Sequence, residues 1–372
     1  MNRLFLFNPE NDIALAMGLP RITPPRQAAL LHRAGAMLPF WLGYSEDAVL
    51  LDARDIDGAS RWVESLDGVS GPGPVVSGSA SHWTPEPWGW SLDAVSQFEK
   101  SGVTFPKREE VENRMRRIRE LSHRRTALYF LSRWEESGGM LPFPLPVGTS
   151  DLAEVVEYVE TFGKVMVKSP WSSSGRGVFP VSIETMDASM ARIEGIMRHQ
   201  GSVMVEPLLP KLQDFAMLFH YRQGKAEFAG YSLFHNSTAT NYGGNYIGSD
   251  RMIIDRLEEL VLQSELERVA RKTSSILTDI LGNDYDGPLG VDMMICGAAG
   301  ETPWIDPCVE INLRYTMGFV ARGVWHKLGR EGIMSVTPKL GPGPRMDMKE
   351  TGDKPLRLVP DNEWFDILFK AI

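Results

Sequence analysis

Cysteine is scarce in this sequence of 372 residues, and no cluster of histidines compensates for it. The two cysteines, Cys296 and Cys308, fall in no metal-ligand spacing, and the seven histidines are scattered without a pair at helical spacing. Disulfide-dependent domains and zinc proteins both need Cys or His residues that recur at short intervals. We therefore expect neither a disulfide scaffold nor a zinc centre.

Excess basic charge and long apolar runs are also lacking. The formal net charge is −9 and the pI is about 5.4, so the composition does not indicate nucleic acid or an anionic membrane as a partner. The arginines of residues 114–125 accompany glutamates at positions 109, 110, 112 and 120, which is typical of a solvated helix face. No run of about 18 apolar residues occurs, and residues 1–7 are too short for the apolar part of a signal peptide. We expect a cytoplasmic protein with no membrane partner.

The apolar content and the length are sufficient for two or three domains with real cores. Strand patterns at 3–7 and 48–51 alternate with helical patterns at 27–38 and 56–66, which predicts a small Rossmann-like α/β domain over residues 1–105. The polar turn at 8–12 follows the first strand, where such sheets bind ligands. Turn and cap chemistry explains the same polar residues equally well.

The rest of the chain is predicted to form α+β units. Helical tracts at 108–122 and 124–136 are followed by a helix–strand–loop–strand–helix–strand order that ends near residue 205. We place one subdomain at 106–205 and a second at 206–345, with a C-terminal tail at 346–372. The second contains a helix predicted over 255–281 and a loop predicted over 235–249, whose Asn236, Asn241, Tyr242 and Asn245 either read a polar substrate or are idle.

The segment from Lys164 to Val178 joins a short buried strand to a loop of small residues. Lys168 stands at the end of the strand, and the loop has little side-chain bulk. Backbone N–H groups, hydroxyls and two cations together can cradle a polyphosphate. A plain surface hairpin is the alternative. The loop residues are Ser172, Ser173, Ser174, Gly175, Arg176 and Gly177.

Carboxylates stand in three further strands. Glu206 ends a strand and Asp214 follows eight residues later, while Asp292 interrupts an apolar strand. Period two places Glu310, Asn312 and Arg314 on one face of the next strand, where they are costly unless paired or bound to a ligand. One interpretation is an internal Glu310–Arg314 ion pair. The other is a set of oxygen ligands for Mg²⁺ with a guanidinium beside the transferring phosphoryl group.

The order of these motifs resembles the ATP-grasp superfamily of carboxylate–amine ligases over residues 121–320. The resemblance implies two α+β subdomains that clasp ATP, with the α/β domain before them. It implies that Lys168 contacts the ATP phosphates, that residues 173–177 form a closing flap, and that Glu206 and Asp214 lie at adenine and ribose. It also implies that Asp292, Glu310 and Asn312 hold Mg²⁺ and that Arg314 acts at the reacting phosphate.

Several points stay open at this stage. An early basic phosphate contact falls on either Arg124 or Arg125, and the Glu206–Asp214 spacing is one residue longer than the common form. The expected activity is ATP-dependent joining of a small-molecule carboxylate to an amine or a similar nucleophile. Kinase-like phosphoryl transfer and a nucleotide-binding regulatory protein are the alternatives. The sequence identifies neither substrate, and a homodimer is left open as the assembly.

Overall fold

The computed structural model describes residues 2–76, 83–172, 177–236, 242–339 and 354–372. The strands in these ranges form three sheets, two with four strands each and one with eight. The mixed α/β architecture agrees with the fold class expected from the sequence. No helix in the described ranges is long and apolar enough to cross a membrane.

The first sheet is parallel, with the strand order β3-β2-β1-β4. Such a sheet needs helical crossovers, and the helical patterns of the first hundred residues supply them. Ser91 caps α4, because its side chain accepts a hydrogen bond from the Ala94 N–H. The elements are β1 Arg3–Leu6, α1 Asn11–Met17, α2 Arg26–Ala34, β2 Ala48–Leu50, α3 Ile56–Glu64, β3 Gly73–Val75, β4 Thr84–Pro87 and α4 Leu92–Lys100.

Two helices, α5 Arg108–Leu121 and α6 Arg125–Glu136, lead to the second sheet. This antiparallel sheet has the order β5-β8-β6-β7 and packs against its own two helices. Asp151 caps α7 by accepting from the Ala153 N–H. The elements are β5 Val147–Thr149, α7 Leu152–Phe162, β6 Lys164–Lys168, β7 Val178–Ser182, α8 Met186–Gln200 and β8 Val203–Pro207.

The third sheet has the order β13-β12-β9-β10-β11-β14-β16-β15 and is antiparallel throughout. Residues 356–371 add two of its strands, within the segment predicted as a tail. The elements are β9 Lys211–Arg222, β10 Lys225–Asn236, β11 Tyr242–Ile247, α9 Asp250–Leu257, α10 Gln263–Leu281, β12 Gly287–Cys296, β13 Trp304–Asn312, α11 Met317–Leu328, β14 Gly332–Pro338, β15 Leu356–Arg357 and β16 Phe365–Ala371.

Two expectations for this region are wrong. The helix predicted over 255–281 is two helices, because the chain turns after Leu257 and is extended at Leu262 before α10 begins. The loop predicted over 235–249 contains β11 and the end of β10, although residues 237–241 lie outside the described ranges. Buried polar contacts sustain β11 in place of apolar alternation: the Asn245 amide, 1% exposed, donates to Ser232 and to the Leu233 carbonyl.

The two faces of the third sheet pack against different partners. One face lies against α6 and α10 through the largest apolar core. The other lies against α11 and the first sheet, through a core that includes Phe40, Trp41 and Phe369. The Trp41 indole N–H also donates to the Leu358 carbonyl at 2.7 Å. The first sheet is therefore fixed over one face of the third, where a large cavity opens.

Candidate active site

A cavity of about 540 Å³ lies between the second and third sheets and the loops and helices of the first domain, and most of the predicted site residues line it. Gly177 is described but does not line it, and Ser173, Ser174, Gly175 and Arg176 lie outside the described residues. The predicted residues in its wall are Arg124, Lys168, Glu206, Asp214, Asp292, Glu310, Asn312 and Arg314.

Lys168 ends β6, and the chain returns in β7 at Val178 directly opposite it. The base of this hairpin is closed by a hydrogen bond from the Ser169 N–H to the Gly177 carbonyl at 2.7 Å. Lys168 is only 5% exposed, and its ammonium forms an ion pair with Glu206 near the end of the neighbouring β8. A buried cation needs such a partner, because burial without one is costly.

Arg124, rather than Arg125, lies in the cavity wall, while the Arg125 side chain is exposed. One terminal nitrogen of Arg124 donates to the Ser169 carbonyl and to Ser172 Oγ, both at 2.7 Å. The other donates to both carboxylate oxygens of Glu310, at 2.9 and 2.8 Å. The buried Nε has no hydrogen-bond partner among the described residues. The Nε–H of Arg124 is therefore available to donate to a ligand where the β6–β7 hairpin meets the third sheet.

Asp292 and Glu310 face each other across β12 and β13. Burial, and then repulsion from Glu310, raise the pKa of Asp292 to about 7. The Asn312 side chain donates to Asp292 Oδ2 at 3.1 Å. Two carboxylates held this close favour a cation between them, since a positive charge relieves their repulsion.

The described residues contain no group of three or more His, Cys, Asp or Glu side chains that could hold a metal ion. The side-chain amide oxygen of Asn312 would have to serve as a third ligand beside the two carboxylates. Carboxylate and amide oxygens are the ligands that Mg²⁺ accepts, usually with several waters. The donor set thus fits Mg²⁺ in kind, with two carboxylates and one amide.

Arg314 lies just beyond the end of β13 and forms an isolated bridge with Gly89 of the first domain. Its guanidinium donates to the Asp12 carboxylate at 3.0 to 3.3 Å. Burial opposes the charge of this guanidinium, yet the Asp12 carboxylate keeps the pKa of Arg314 raised. The Glu310–Arg314 ion pair, which was one of the two interpretations of the sequence, is therefore not formed: Glu310 pairs with Arg124, and Arg314 with Asp12.

One end of the cavity lies between the second and third sheets, and its wall combines apolar side chains with charged pairs. Asp214 is at this end and forms an ion pair with Lys211 at 2.7 Å. Lys211 was missed in the sequence, because a single lysine after a proline carries no motif. The apolar wall residues at this end are Met166, Val178, Pro180, Pro207, Leu208, Leu209, Met294 and Val309.

Asp306, a buried acid on β13, was also missed. Burial and then the nearby Glu206 carboxylate raise the pKa of Asp306 to about 7. Its Oδ1 accepts from the Cys308 N–H at 3.1 Å. The only signal in the sequence was an acid within an apolar strand, as at Asp292.

The polar turn after β1 divides its roles. Asp12 binds Arg314, whereas Glu10 contacts His32 at 2.9 Å and Asn8 donates to the Gly89 carbonyl at 2.9 Å. These contacts tie the turn to its own domain as well as to the cavity. Trp88, just after β4, lines the cavity, and Tyr242 and Asn245 line it from β11.

No protein-family model and no curated protein sequence matches the chain, but solved structures match it over most of its length. Biotin carboxylase from Campylobacter jejuni, solved as a β-γ-ATP complex, has 12% identity over 91% of this chain and 76% of that chain, with a TM-score of 0.51. The biotin carboxylase domain of the Hydrogenobacter thermophilus 2-oxoglutarate carboxylase, solved with MgADP, ADP and bicarbonate, has 11% identity over 91% and 75%, with a TM-score of 0.50. N5-carboxyaminoimidazole synthetase from Staphylococcus aureus, with ADP, has 10% identity over 90% and 82%, with a TM-score of 0.47.

Identities this low show the fold alone. The two sheets that close on one cavity, with an α/β domain before them, are the ATP-grasp fold. The fold that the motif order implies is thus confirmed.

Proposed function

We propose that the protein is an ATP-dependent ligase that activates a small-molecule carboxylate as an acyl phosphate, which an amine or a similar nucleophile then attacks. One observation carries the proposal. The buried cations Lys168 and Arg124 and the partly buried Arg314 line the same cavity as the facing carboxylates Asp292 and Glu310. Cations that can bind phosphate beside oxygen ligands for a divalent ion are what phosphoryl transfer requires.

The nucleotide would lie between the second and third sheets. The apolar side chains at the end of the cavity between these two sheets suit a purine ring. Glu206 and Asp214 lie at the same end and would contact the base and the ribose. Lys168 and Arg124 would then bind the phosphates, and the Nε–H of Arg124, unpaired among the described residues, supports this role. The two aligned relatives with TM-scores of 0.50 and 0.51 were both solved with an adenine nucleotide.

Mg²⁺ would be held by the carboxylates of Asp292 and Glu310 and by the side-chain amide oxygen of Asn312. The ion, when bound, offsets the charge of the phosphates. Glu310 would share its carboxylate between the ion and Arg124, which keeps the early basic contact beside the metal site. Arg314 would stabilise the phosphoryl group in transit, because a preorganised guanidinium is most valuable where charge develops.

The reaction would proceed in two steps. A carboxylate oxygen of the acid attacks the γ-phosphorus of ATP, the bond to the bridging oxygen breaks, and ADP leaves with the electron pair. The amine nitrogen then attacks the acyl carbon, the carbon–oxygen bond to phosphate breaks, and the nitrogen loses a proton to solvent. The products are ADP, phosphate and an amide. We propose that the reaction takes place in the cytoplasm. We also propose that the domains end at residues 105, 205 and 345, as predicted from the sequence.

The test is to incubate the protein with MgATP, hydroxylamine and a panel of carboxylic acids. An acyl phosphate transfers its acyl group to hydroxylamine, so ADP and a hydroxamate should appear together only with a suitable acid. A kinase of an alcohol gives a stable phosphate ester and no hydroxamate. A folded protein that binds no MgATP would refute the whole proposal.

A further inference from the structure

The cavity continues past Arg314, away from the end assigned to the nucleotide, and its character changes there. Around this far end the wall is built from the first domain, from the start of α11 and from strands β14 and β16. We name this region the acceptor pocket. Its defining residues are Phe7, Leu31, Trp88, Met317, Val336 and Ile367.

The acceptor pocket is continuous with the reacting end. The Tyr315 N–H, next to Arg314, donates to the Trp88 carbonyl at 2.8 Å. The Trp88 ring meets Phe7 edge to face, with 4.9 Å between ring centroids. On the opposite wall, Val336 and Ile367 are directly paired between β14 and β16. A molecule whose carboxylate lies at Arg314 therefore has apolar side chains along the rest of its path.

Formal charges are confined to the other end of the cavity. Among the wall residues that the structure describes, the charged side chains belong to the nucleotide and metal positions, and the acceptor pocket has none. The polar groups between the two ends are neutral, and they bind one another: the Asn245 amide donates to Ser232 Oγ at 2.8 Å. A second carboxylate or a phosphate in the pocket would lose its hydration without gaining a partner, which is strongly unfavourable.

The distance across the sheet indicates how the substrate is laid out. Asp292 pairs with Ala216, and Ala216 pairs with Ser232, so Ser232 is two strands from Asp292 on the same face. Two strand spacings amount to about 10 Å. An acid that reaches the apolar wall beyond Ser232 therefore has several carbons between its carboxylate and its far end.

We propose that the carboxylate substrate is a monocarboxylic acid with an extended aliphatic or aromatic group that lies in the acceptor pocket. This inference rests on the proposed function for the position of the carboxylate. Apolar contact would supply most of the affinity, because each buried methylene contributes favourably, whereas the single carboxylate sets the orientation.

The test is to titrate the whole protein, with and without MgADP, with matched acids by calorimetry. The apolar probes are straight-chain and phenyl-substituted monocarboxylates of four to ten carbons, with 4-phenylbutanoate as the reference. The charged probes are glutarate and phosphonoacetate. We expect 4-phenylbutanoate or a longer apolar acid to bind at least tenfold more tightly than either charged probe. Equal or tighter binding of a charged probe, or no binding of any apolar acid, would overturn the inference.

Two neighbouring leucines of α2 give a matched pair of variants. Leu30 and Leu31 are both half-buried and both pack against the same core, but only Leu31 lines the cavity. Leu31→Asn should weaken the apolar acid about fivefold, the loss expected for one apolar contact, and Leu30→Asn should not. Leu31→Lys should shift the preference towards glutarate. Equal effects of the two Asn variants, or an unchanged preference in Leu31→Lys, would contradict the assigned pocket.

The two proposals can fail separately. Apolar preference without MgATP binding refutes the ligase assignment and leaves the pocket intact. If MgATP-dependent hydroxamate formation occurs with charged acids alone, the apolar substrate is refuted and the ligase assignment stands.

Discussion

Arg314 and Asp12 are 302 positions apart in the chain, and three hydrogen bonds join their side chains. Arg314 is the last member of the acid–amide–guanidinium series at the end of β13, and Asp12 opens the first helix of the first domain. The contact attaches the first sheet to the reacting end of the cavity. It also fixes the guanidinium without using Glu310, which stays bound to Arg124.

Asp12→Asn should lower stability and the rate of acyl-phosphate formation together. The substitution keeps the shape of the side chain but leaves Arg314, 16% exposed, without its anionic partner. We expect the free energy of unfolding to fall by about 2–3 kcal/mol, below the loss typical of a fully buried pair. Denaturant unfolding measures this change. Asp52→Asn, which disrupts the exposed pair with Arg54, is the control and should leave stability unchanged.

Arg314→Ala should lower kcat for hydroxamate formation by about 10²–10³, the usual loss when a preorganised electrostatic donor is removed. The affinity for ATP should change much less, because the guanidinium is assigned to the transferring group. Steady-state kinetics and ATP titration separate the two effects. A wild-type rate of hydroxamate formation in the variant would show that Arg314 has no part in the transfer.

Lys168→Ala should weaken ATP binding by about 1.5–3 kcal/mol, the contribution of a charge-assisted contact. Calorimetric titration with MgATP measures it. Lys164→Ala is the matched control, because Lys164 lies on the same strand with an exposed side chain outside the cavity wall. If both variants keep the wild-type affinity, Lys168 does not contact the nucleotide.

Asp292→Asn and Glu310→Gln should differ in stability while sharing a loss of Mg²⁺-dependent turnover. Asp292→Asn removes a buried charge that Glu310 repels, so the melting temperature should stay the same or rise. Glu310→Gln leaves the buried Arg124 guanidinium without its carboxylate, so the melting temperature should fall. Thermal melting and Mg²⁺-dependent ADP release are the two measurements. Loss of stability in both variants with turnover retained would indicate a structural pair.

His123 should make folding stability sensitive to acid. Burial and the surrounding arginines lower the pKa of His123 to about 4, and its neutral Nδ1 accepts from the Arg125 N–H. In the unfolded chain His123 has an ordinary pKa, so between about pH 6.5 and 4 the unfolded chain binds more protons than the folded protein. The contribution of neutral His123 to folding stability is therefore complete above this pH range and is lost as the pH falls through it. The slope is at most about 1.4 kcal/mol per pH unit.

Chemical unfolding of wild type and His123→Asn across this pH range isolates the contribution, because carboxylates titrate alike in both. The difference between them should shrink as the pH falls. The exposed His199, changed to Asn, is the control and should reproduce the wild-type slope. A slope that His123→Asn shares with wild type would contradict the assignment.

Local patterns predicted the hairpin at Lys168 and the Glu310–Asn312 strand, because a short apolar run and period two are properties of neighbouring residues. The partners of the charged groups were not predictable in this way. Arg124 reaches Glu310 across 186 positions, and a guanidinium in a run of arginines gives no sign of which carboxylate it will meet. The chain turn between α9 and α10 contains neither proline nor glycine, and β11 lacks apolar alternation because hydrogen bonds between buried polar groups replace it.

The pairing of cations with carboxylates around the cavity affects how a nucleotide would arrive. In the part of the wall that the structure describes, every cation already has an anionic partner, so little positive potential extends outwards to attract a polyanion. With a net charge of −9, the chain as a whole repels ATP at long range, and dissolved salt screens that repulsion. Capture of the nucleotide is then governed by exchange of partners at short range, not by long-range attraction. The pairs are Arg124–Glu310, Lys168–Glu206, Lys211–Asp214 and Arg314–Asp12.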